Sequence, residues 1–157
     1  MKQLATLCVV CFALFLAAAA SAQVKDAEYS WALAVLPSGA EFTLEIAADP
    51  QSRWRGYRYR EHVAADEGML FIFSREQPLS FEMKDCLVSL DMIFLDSKLQ
   101  IVEIAHDRQP CPAEGPCRPI SPMRNAQYVL ELAGGTAGRE GLSPGDRITV
   151  LSEPSIP

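Results

Sequence analysis

Hydrophobic and polar residues alternate along several short stretches of the chain, and this period of two is typical of β-strands with one buried face. Residues 41–47 show the clearest alternation, and residues 31–36 predict another strand before them. Residues 69–73 are apolar throughout, as expected of a strand that is buried on both faces. Further apolar stretches predict strands at residues 81–84, 128–133 and 147–151.

Two apolar runs at 90–95 and 99–105 flank a short polar segment and predict a β-hairpin. Residues 106–126 contain five prolines and predict a long irregular loop. With about eight short strands and many turn signals, the chain is expected to be mainly β. A sandwich or a partly closed barrel fits this pattern better than a parallel α/β sheet.

Helical signals are few. Asp49-Pro50 predicts a helix start, because an Asp side chain caps free backbone amides and Pro fits the first helical position. The helix is expected over residues 50–60, and Thr136 begins a predicted helical turn at 136–141.

The first 22 residues have the order of a cleavable signal peptide. Lys2 precedes an apolar run at 4–20, which ends in Ala20-Ser21-Ala22. We expect cleavage after Ala22, a periplasmic or secreted location, and no stable membrane insertion after cleavage. An uncleaved anchor is the alternative interpretation, since the apolar run almost spans a bilayer.

The remaining chain divides into a lead at residues 23–40 that contains the first predicted strand, one β-rich domain at 41–152, and a tail at 153–157. The 157 residues leave no room for a second sizeable core. The net charge of −6 argues against nucleic-acid binding, which needs a positive field.

Three cysteines follow the predicted cleavage site, namely Cys86, Cys111 and Cys117. Nearby cysteines usually pair in oxidising compartments, so we expect a disulfide between Cys111 and Cys117. A metal site built on these two thiolates is the alternative, but no second close pair is present. The apolar neighbours of Cys86 favour an inert, buried thiol.

Four of the ten arginines fall within residues 53–60, beside Trp54 and two tyrosines. Arginine side chains bind carboxylates and phosphates in pairs, so Arg55, Arg58 and Arg60 are candidate ligands for an anion. The alternative is structural: these arginines pair with carboxylates of an acidic fold.

Lys84 and Asp91 are the most notable charged residues within apolar stretches. Each must be paired or reach solvent. They form either a structural ion pair or part of a binding site. His62 and His106 lie 44 positions apart without a ligand motif, and the sequence contains no nucleotide-binding or nucleophile motif. We therefore predict no metal and no cofactor.

A series of motifs in order resembles the domain of unknown function family 192, over roughly residues 41–151. The series consists of Arg55-Gly56, Arg60, Gly68-Met69-Leu70-Phe71, Phe81-x-Met83-Lys84, Leu90-Asp91-x-Ile93-Phe94, Val129-Leu130-Glu131-Leu132, Ala133-Gly134 and Gly145-Asp146. The resemblance implies a mostly β, jelly-roll-like fold with a short helix. It implies no activity.

The chain departs from the family pattern in its most distinctive stretch. Members typically have Trp, Asn, Thr and Pro at the positions that Glu82, Asp85, Cys86 and Ser89 occupy here. If these positions contribute to a ligand site, this chain binds a different ligand or none.

The sequence thus favours an exported module without catalytic activity that binds an anionic ligand or an envelope protein. Its candidate binding residues are Arg55, Arg58, Arg60, Lys84 and Asp91. One alternative is an envelope hydrolase that uses Asp91, Asp85 or Glu67. Another is a structural domain that docks a partner through the arginine-rich segment.

Overall fold

The computed structural model describes residues 30–152, which form seven strands and two short helices. The strands are β1 (Trp31–Val35), β2 (Glu41–Ala47), β3 (Glu67–Gln77), β4 (Leu90–Leu95), β5 (Ile101–Arg108), β6 (Ala126–Ala133) and β7 (Thr149–Ser152). The helices are α1 (Pro50–Arg55) and α2 (Thr136–Arg139). The predicted signal peptide lies outside the described residues. Within residues 30–152 no helix is long and apolar enough to cross a membrane.

The seven strands form one mixed sheet in the order β5-β4-β6-β3-β2-β1-β7. Strands β2 and β3 are parallel, and the other neighbouring strands are antiparallel. The two ends of the sheet approach each other, because the Ile101 amide donates to the Asp146 carbonyl at 2.8 Å and the Ile148 amide donates to the Leu99 carbonyl at 3.0 Å. The sheet is therefore a partly open barrel, and the mainly β fold class is confirmed.

Successive side chains point to opposite faces of the sheet and form two separate apolar clusters. The interior cluster includes Leu44, Leu70, Ile93, Leu130 and Leu132. Every strand or its flanking segment contributes to this cluster, so it fills the barrel. Helix α2 contacts β4, β5 and β6, and its Ala137 belongs to the interior cluster.

The outer cluster lies on the other face of β3, β6 and β4, where Met69, Phe71, Met92, Phe94 and Val129 point. Residues 48–66, 78–89 and 109–125 cover this face, and we call these segments together the cover layer. Their buried side chains include Tyr57, Leu79, Met83, Cys86 and Ile120. Helix α1 is the regular element of the cover layer within the described residues.

Helix α1 begins where the sequence predicts and ends earlier. The Asp49 carboxylate accepts hydrogen bonds from the Gln51 and Ser52 amides at 2.8 and 3.0 Å. The prediction that the helix continues to residue 60 is wrong, because Gly56 has a φ of 47° and turns the chain. That turn brings the buried Tyr57 side chain into the outer cluster.

Three other boundaries differ from the predictions. Residues 81–84 do not form a strand, since Phe81 makes only an isolated bridge to Ile120. The next backbone groups bond to other loops instead, and the Met83 carbonyl accepts from the Cys111 amide at 3.3 Å. The irregular segment is shorter than predicted because β5 continues to Arg108, and α2 ends at Arg139.

The predicted disulfide between Cys111 and Cys117 is present in the irregular segment, with the two Cα atoms 5.2 Å apart. Cys86 is a free, buried cysteine. The covalent loop lies in the cover layer, close to the Met83 carbonyl that Cys111 contacts.

Gly68 is required where β2, β3 and β6 lie side by side. It pairs with Leu44 on one side and Leu132 on the other. A Cβ atom at position 68 would lie 2.6 Å from a Leu132 methyl group and 2.8 Å from the Glu131 carbonyl oxygen. Gly68→Ala should therefore destabilise the protein by about 1–3 kcal/mol, measured by urea unfolding.

Gly138→Ala is the matched control, because a Cβ atom there meets nothing within 4 Å. It should leave the protein unchanged or stabilise it by about 0.5 kcal/mol. Equal unfolding midpoints for the two variants would contradict the tight packing of the three strands.

Candidate functional site

A cleft of about 440 Å³ opens in the cover layer above β3 and β6. Five aromatic and six polar side chains line it, together with Pro50 and Gly56. The aromatic residues are Trp54, Tyr57, Phe71, Phe73 and Phe81. The polar residues are Arg53, Arg58, Ser80, Glu82, Cys86 and Glu131. Small-molecule sites combine aromatic and apolar walls with polar groups that fix the orientation of the ligand.

Phe81 organises the aromatic wall. Its ring meets the edge or face of Phe71 at 5.1 Å, Phe94 at 6.0 Å and Phe73 at 6.3 Å between centroids. Such perpendicular contacts fix ring orientations in the cluster. Trp54 stands at the mouth of the cleft with 65% of its surface exposed.

Glu131 supplies a carboxyl group to the cleft from β6. Its strand neighbours are Met69 of β3 and Met92 of β4, so apolar side chains flank it on both sides. The residue is only 3% exposed, and within residues 30–152 its carboxyl group makes no hydrogen bond or ion pair. No fully buried polar side-chain atom of the described residues lacks a hydrogen-bond partner, so the Glu131 carboxyl oxygens reach the open space of the cleft. Burial raises the pKa of Glu131 from 4.5 to about 8, and the charge of Arg60 opposes this rise.

Arg60 does not neutralise Glu131, because its guanidinium binds another carboxylate. Arg60 Nη2 lies 2.7 Å from Glu45 Oε2 and 2.9 Å from Glu45 Oε1. Glu45 is 6% exposed and lies in the same row across the sheet, next to Met69. The Arg60 guanidinium also lies over the Tyr57 ring, 5.1 Å from its centre.

Arg58 holds two parts of the cover layer together at the edge of the cleft. Its guanidinium pairs with Glu82 at 3.2 Å and with Asp85 at 3.3 Å. It also donates to the Trp54 carbonyl at 2.8 Å and the Lys84 carbonyl at 2.7 Å. The same group lies 5.3 Å from the centre of the Trp54 ring.

Arg53 has a similar role on the other side of the cleft. It donates to the carbonyls of Ala48 and Ile72 and lies over the Phe73 ring. Arg55, the last residue of α1, and the exposed Lys84 lie outside the lining of the cleft.

Asp91 lies on the interior face of the sheet, away from the arginines. It is fully buried, and its two carboxylate oxygens accept from the backbone amides of Asp107 and Ala137, each at 2.6 Å. These bonds connect β4 to β5 and to the first turn of α2. The five predicted binding residues are therefore not gathered in one place, and Arg58 is the one that lines the cleft.

Two other ionisable groups face the Glu131 region. Burial, with a smaller contribution from the charge of Glu131, raises the pKa of the Cys86 thiol to about 11. Burial likewise raises the pKa of the Tyr57 hydroxyl well above 10. Both groups are thus protonated at neutral pH, and Cys86 is a poor nucleophile in this setting.

Sequence reasoning did not select Glu131 as a site residue, although the signal was present. Glu131 interrupts the apolar residues of β6 between Leu130 and Leu132. Lys84 and Asp91 were selected because a charged side chain within an apolar stretch must be paired or reach solvent, and the same holds for Glu131.

The fold and the cleft define a small, barrel-like β domain with an aromatic cleft on the outer face of its sheet. The chain belongs to the DUF192 family, described as Uncharacterized ACR, COG1430, whose profile matches residues 34–150. This match confirms the resemblance seen in the sequence. No curated protein matches the chain.

Solved structures support the same fold. A Sinorhizobium meliloti protein, described as a candidate transcription regulator, is 36% identical with a TM-score of 0.71. That alignment covers 78% of this chain and 95% of the other. A protein of unknown function from Novosphingobium aromaticivorans is 27% identical with a TM-score of 0.68, and the alignment covers 76% and 83% of the two chains.

Three of the four departures from the family pattern lie at the cleft. Glu82 and Cys86 belong to its lining, and Asp85 binds the guanidinium of Arg58. Ser89 lies elsewhere, where its carbonyl accepts from the Gly134 amide at 2.9 Å. The positions at which the sequence analysis found departures from the family pattern therefore lie mostly at this cleft.

Removal of the Asp91 charge should destabilise the fold. Asp91→Asn keeps the shape of the side chain. Its NH₂ group, which is a donor, would then face one of the two backbone amides that donate to Asp91. The free energy of unfolding should fall by about 2–3 kcal/mol, because a charged acceptor is lost from a buried site. Urea unfolding of Asp66→Asn, an exposed acid, should stay within about 0.5 kcal/mol of the parent. Equal losses in both variants would contradict this role for Asp91.

The raised pKa of Glu131 makes stability depend on pH. Below about pH 4.5 the carboxyl is protonated in both the folded and the unfolded state. As pH rises toward 8, the unfolded chain loses this proton first, so the stability that neutral Glu131 permits is lost. Glu131→Gln should therefore match the parent near pH 4.5 and exceed it by a few kcal/mol, as an order of magnitude, above pH 8.

Unfolding in urea at a series of pH values measures this difference. Glu61→Gln, which changes an exposed acid, should follow the parent at every pH. A constant difference between the Glu131→Gln variant and the parent from pH 4 to 9 would be inconsistent with a buried, titrating carboxyl.

Proposed function

We propose that this protein is an exported, non-catalytic binding module that holds a small organic ligand in the aromatic cleft. One observation carries the proposal: the Glu131 carboxyl is 3% exposed, lines the cleft and has no partner among residues 30–152. A ligand that offers a polar group to Glu131 would satisfy it.

Glu131 contributes no side-chain hydrogen bond or ion pair to the fold within residues 30–152. Moving a carboxyl group from bulk water into a largely buried position costs free energy unless partners replace the lost water. Met69 and Met92 beside it show that an apolar side chain would suit the row. A residue that destabilises the fold and faces a cleft is expected where function requires it.

The charges around the cleft bear on the predicted anion site. Arg58 binds Glu82 and Asp85, and Arg60 binds Glu45. An anion at either arginine must therefore displace a carboxylate of the protein. Anion binding through Arg55 and Lys84 stays a prediction. We prefer the cleft as the ligand site because it is concave and combines aromatic and polar side chains.

The hydrolase alternative is less well supported by the arrangement of carboxyl groups. General acid and base must reach one substrate. Asp91 faces the interior, whereas the parity of β3 places Glu67 on the outer face with Met69. Asp85 is paired with Arg58. The two acids that line the cleft are Glu131 and Glu82, and Glu82 is itself ion-paired.

Export rests on two features that support each other. The order of charge, apolar run and small residues at 1–22 is that of a signal peptide. The Cys111–Cys117 disulfide suits an oxidising compartment such as the periplasm.

The two tryptophans allow a direct test. Trp54 lines the cleft, and Trp31 lies on β1 with 50% of its surface exposed. In the Trp31→Phe variant, Trp54 is the single fluorophore of this type. A screen of amines, sugars, dicarboxylates, nucleotides and phosphate should yield a ligand that changes Trp54 emission and raises Tm. At about 100 times Kd, the stabilisation is about 2.7 kcal/mol.

Trp54→Phe is the matched control, because it keeps Trp31 and should show no emission change with the same ligand. A ligand that raises Tm but leaves Trp54 emission unchanged would place the site elsewhere. If no compound changes either Trp54 emission or Tm, the proposal is overturned. That result would favour a protein-docking role for the exposed Trp54 and Tyr59.

A further inference from the structure

We infer that the ligand of the cleft is an organic cation, whose ammonium group replaces a proton on Glu131. This inference rests on the proposed function and names the chemical class of the ligand. It is carried by the charges around Glu131, by the aromatic wall and by the missing partner of the carboxyl group.

Of the two acids that line the cleft, Glu82 is paired with Arg58 and Glu131 has no ion pair within the described residues. The positive groups are Arg53, Arg58 and Arg60. The negative groups are Glu45, Glu82, Asp85 and, when ionised, Glu131. An ionised Glu131 is therefore the lining carboxylate without a cation, and an ammonium ligand would supply one. An anionic ligand would place a second negative charge beside it.

The wall of the cleft suits an ammonium group. Cations are attracted to the faces of aromatic rings, and the attraction is stronger where water is excluded. Three guanidinium groups already occupy such positions nearby, over Phe73, Trp54 and Tyr57 at 5.1–5.3 Å. Phe71 and Phe81, which also line the cleft, carry no guanidinium among the described contacts.

Several ionisable groups face Glu131 from neighbouring elements. Tyr57 and Cys86 keep their protons because burial raises the pKa of each group. Arg53, Arg58 and Arg60 stay charged. The carboxylates Glu45, Glu82 and Asp85 are held in ion pairs, and the β4 neighbour, Met92, has no charge. His62 and His106 are exposed and outside the cleft.

Binding of the ligand then replaces the proton on Glu131 with the ammonium group of the ligand. In the empty cleft at pH 6, Glu131 holds a proton, in keeping with its pKa of about 8. The incoming ammonium group pairs with the carboxylate, and the proton leaves to solvent. Affinity for a permanent cation should therefore rise with pH by about tenfold per unit between pH 5 and 7 and level off above pH 8.

Choline and 3,3-dimethylbutan-1-ol form a matched pair of probes, because they share a shape and differ in the charged nitrogen. Isothermal titration calorimetry of the purified protein at pH 5, 6, 7, 8 and 9 gives both affinities. Two buffers of different ionisation enthalpy at pH 6 give the number of protons released. We expect tighter binding of choline, close to one proton released, and the pH dependence described above.

Glu131→Gln removes the titrating group while keeping its size. It should weaken choline binding at pH 8 by at least about 30-fold and abolish the pH dependence, because a buried cation loses its counter-ion. Binding of the neutral alcohol should change by no more than about twofold, within the range of an isosteric change. Glu61→Gln should leave both affinities and the pH profile unchanged.

The outcomes separate this inference from the proposal on which it rests. Equal or tighter binding of the neutral alcohol, or choline binding without proton release, overturns the cation and leaves the cleft as a binding site. Absence of choline binding also overturns it, and the Trp54 emission screen then decides the proposed function independently.

Discussion

The arrangement of this protein follows from one constraint: the outer face of β3, β6 and β4 is apolar and must be covered without long helices. Irregular segments cover it, and such segments leave backbone carbonyls without regular partners. Arginine is suited to binding these carbonyls because its planar guanidinium group carries five N–H donors that point in different directions. Arg53 and Arg58 each bind two carbonyls from separate stretches of the chain, and Arg60 binds Glu45. The arginine-rich segment is thus best understood as the fastening of the cover layer.

The cleft exists because this covering is incomplete. Trp54, Phe73 and Phe81 surround an opening rather than meeting over the strands. At its base, Glu131 occupies a row in which its neighbours on both sides are methionines. The interior of the barrel contains a buried acid too, but Asp91 has two amide donors at 2.6 Å. Asp91 thus connects elements of the fold through its carboxylate, whereas the Glu131 carboxyl makes no such bond within the described residues.

The sequence was a good guide wherever a feature depended on local pattern. The alternation of residues 41–47, the cap at Asp49 and the Cys111–Cys117 pairing all have local causes and were predicted. The end of α1 was missed, because Gly56 turns the chain to place Tyr57 on the sheet, which is a tertiary effect. The site was only partly foreseen. Pairing between distant carboxylates and arginines decides which charges remain, and sequence spacing does not contain that information.

The interior and outer apolar clusters lie on opposite faces of the sheet. The residues that fill the barrel are therefore separate from those that cover its outer face. The interior cluster fills the barrel, and the cover layer provides most of the residues that line the cleft. The unusual residues Glu82, Asp85 and Cys86 all belong to the second part. Substitutions in the cover layer leave the residues of the barrel interior unchanged. The same division makes the domain a starting point for engineering, in which new specificities are selected by randomising loop positions while every barrel residue is left untouched.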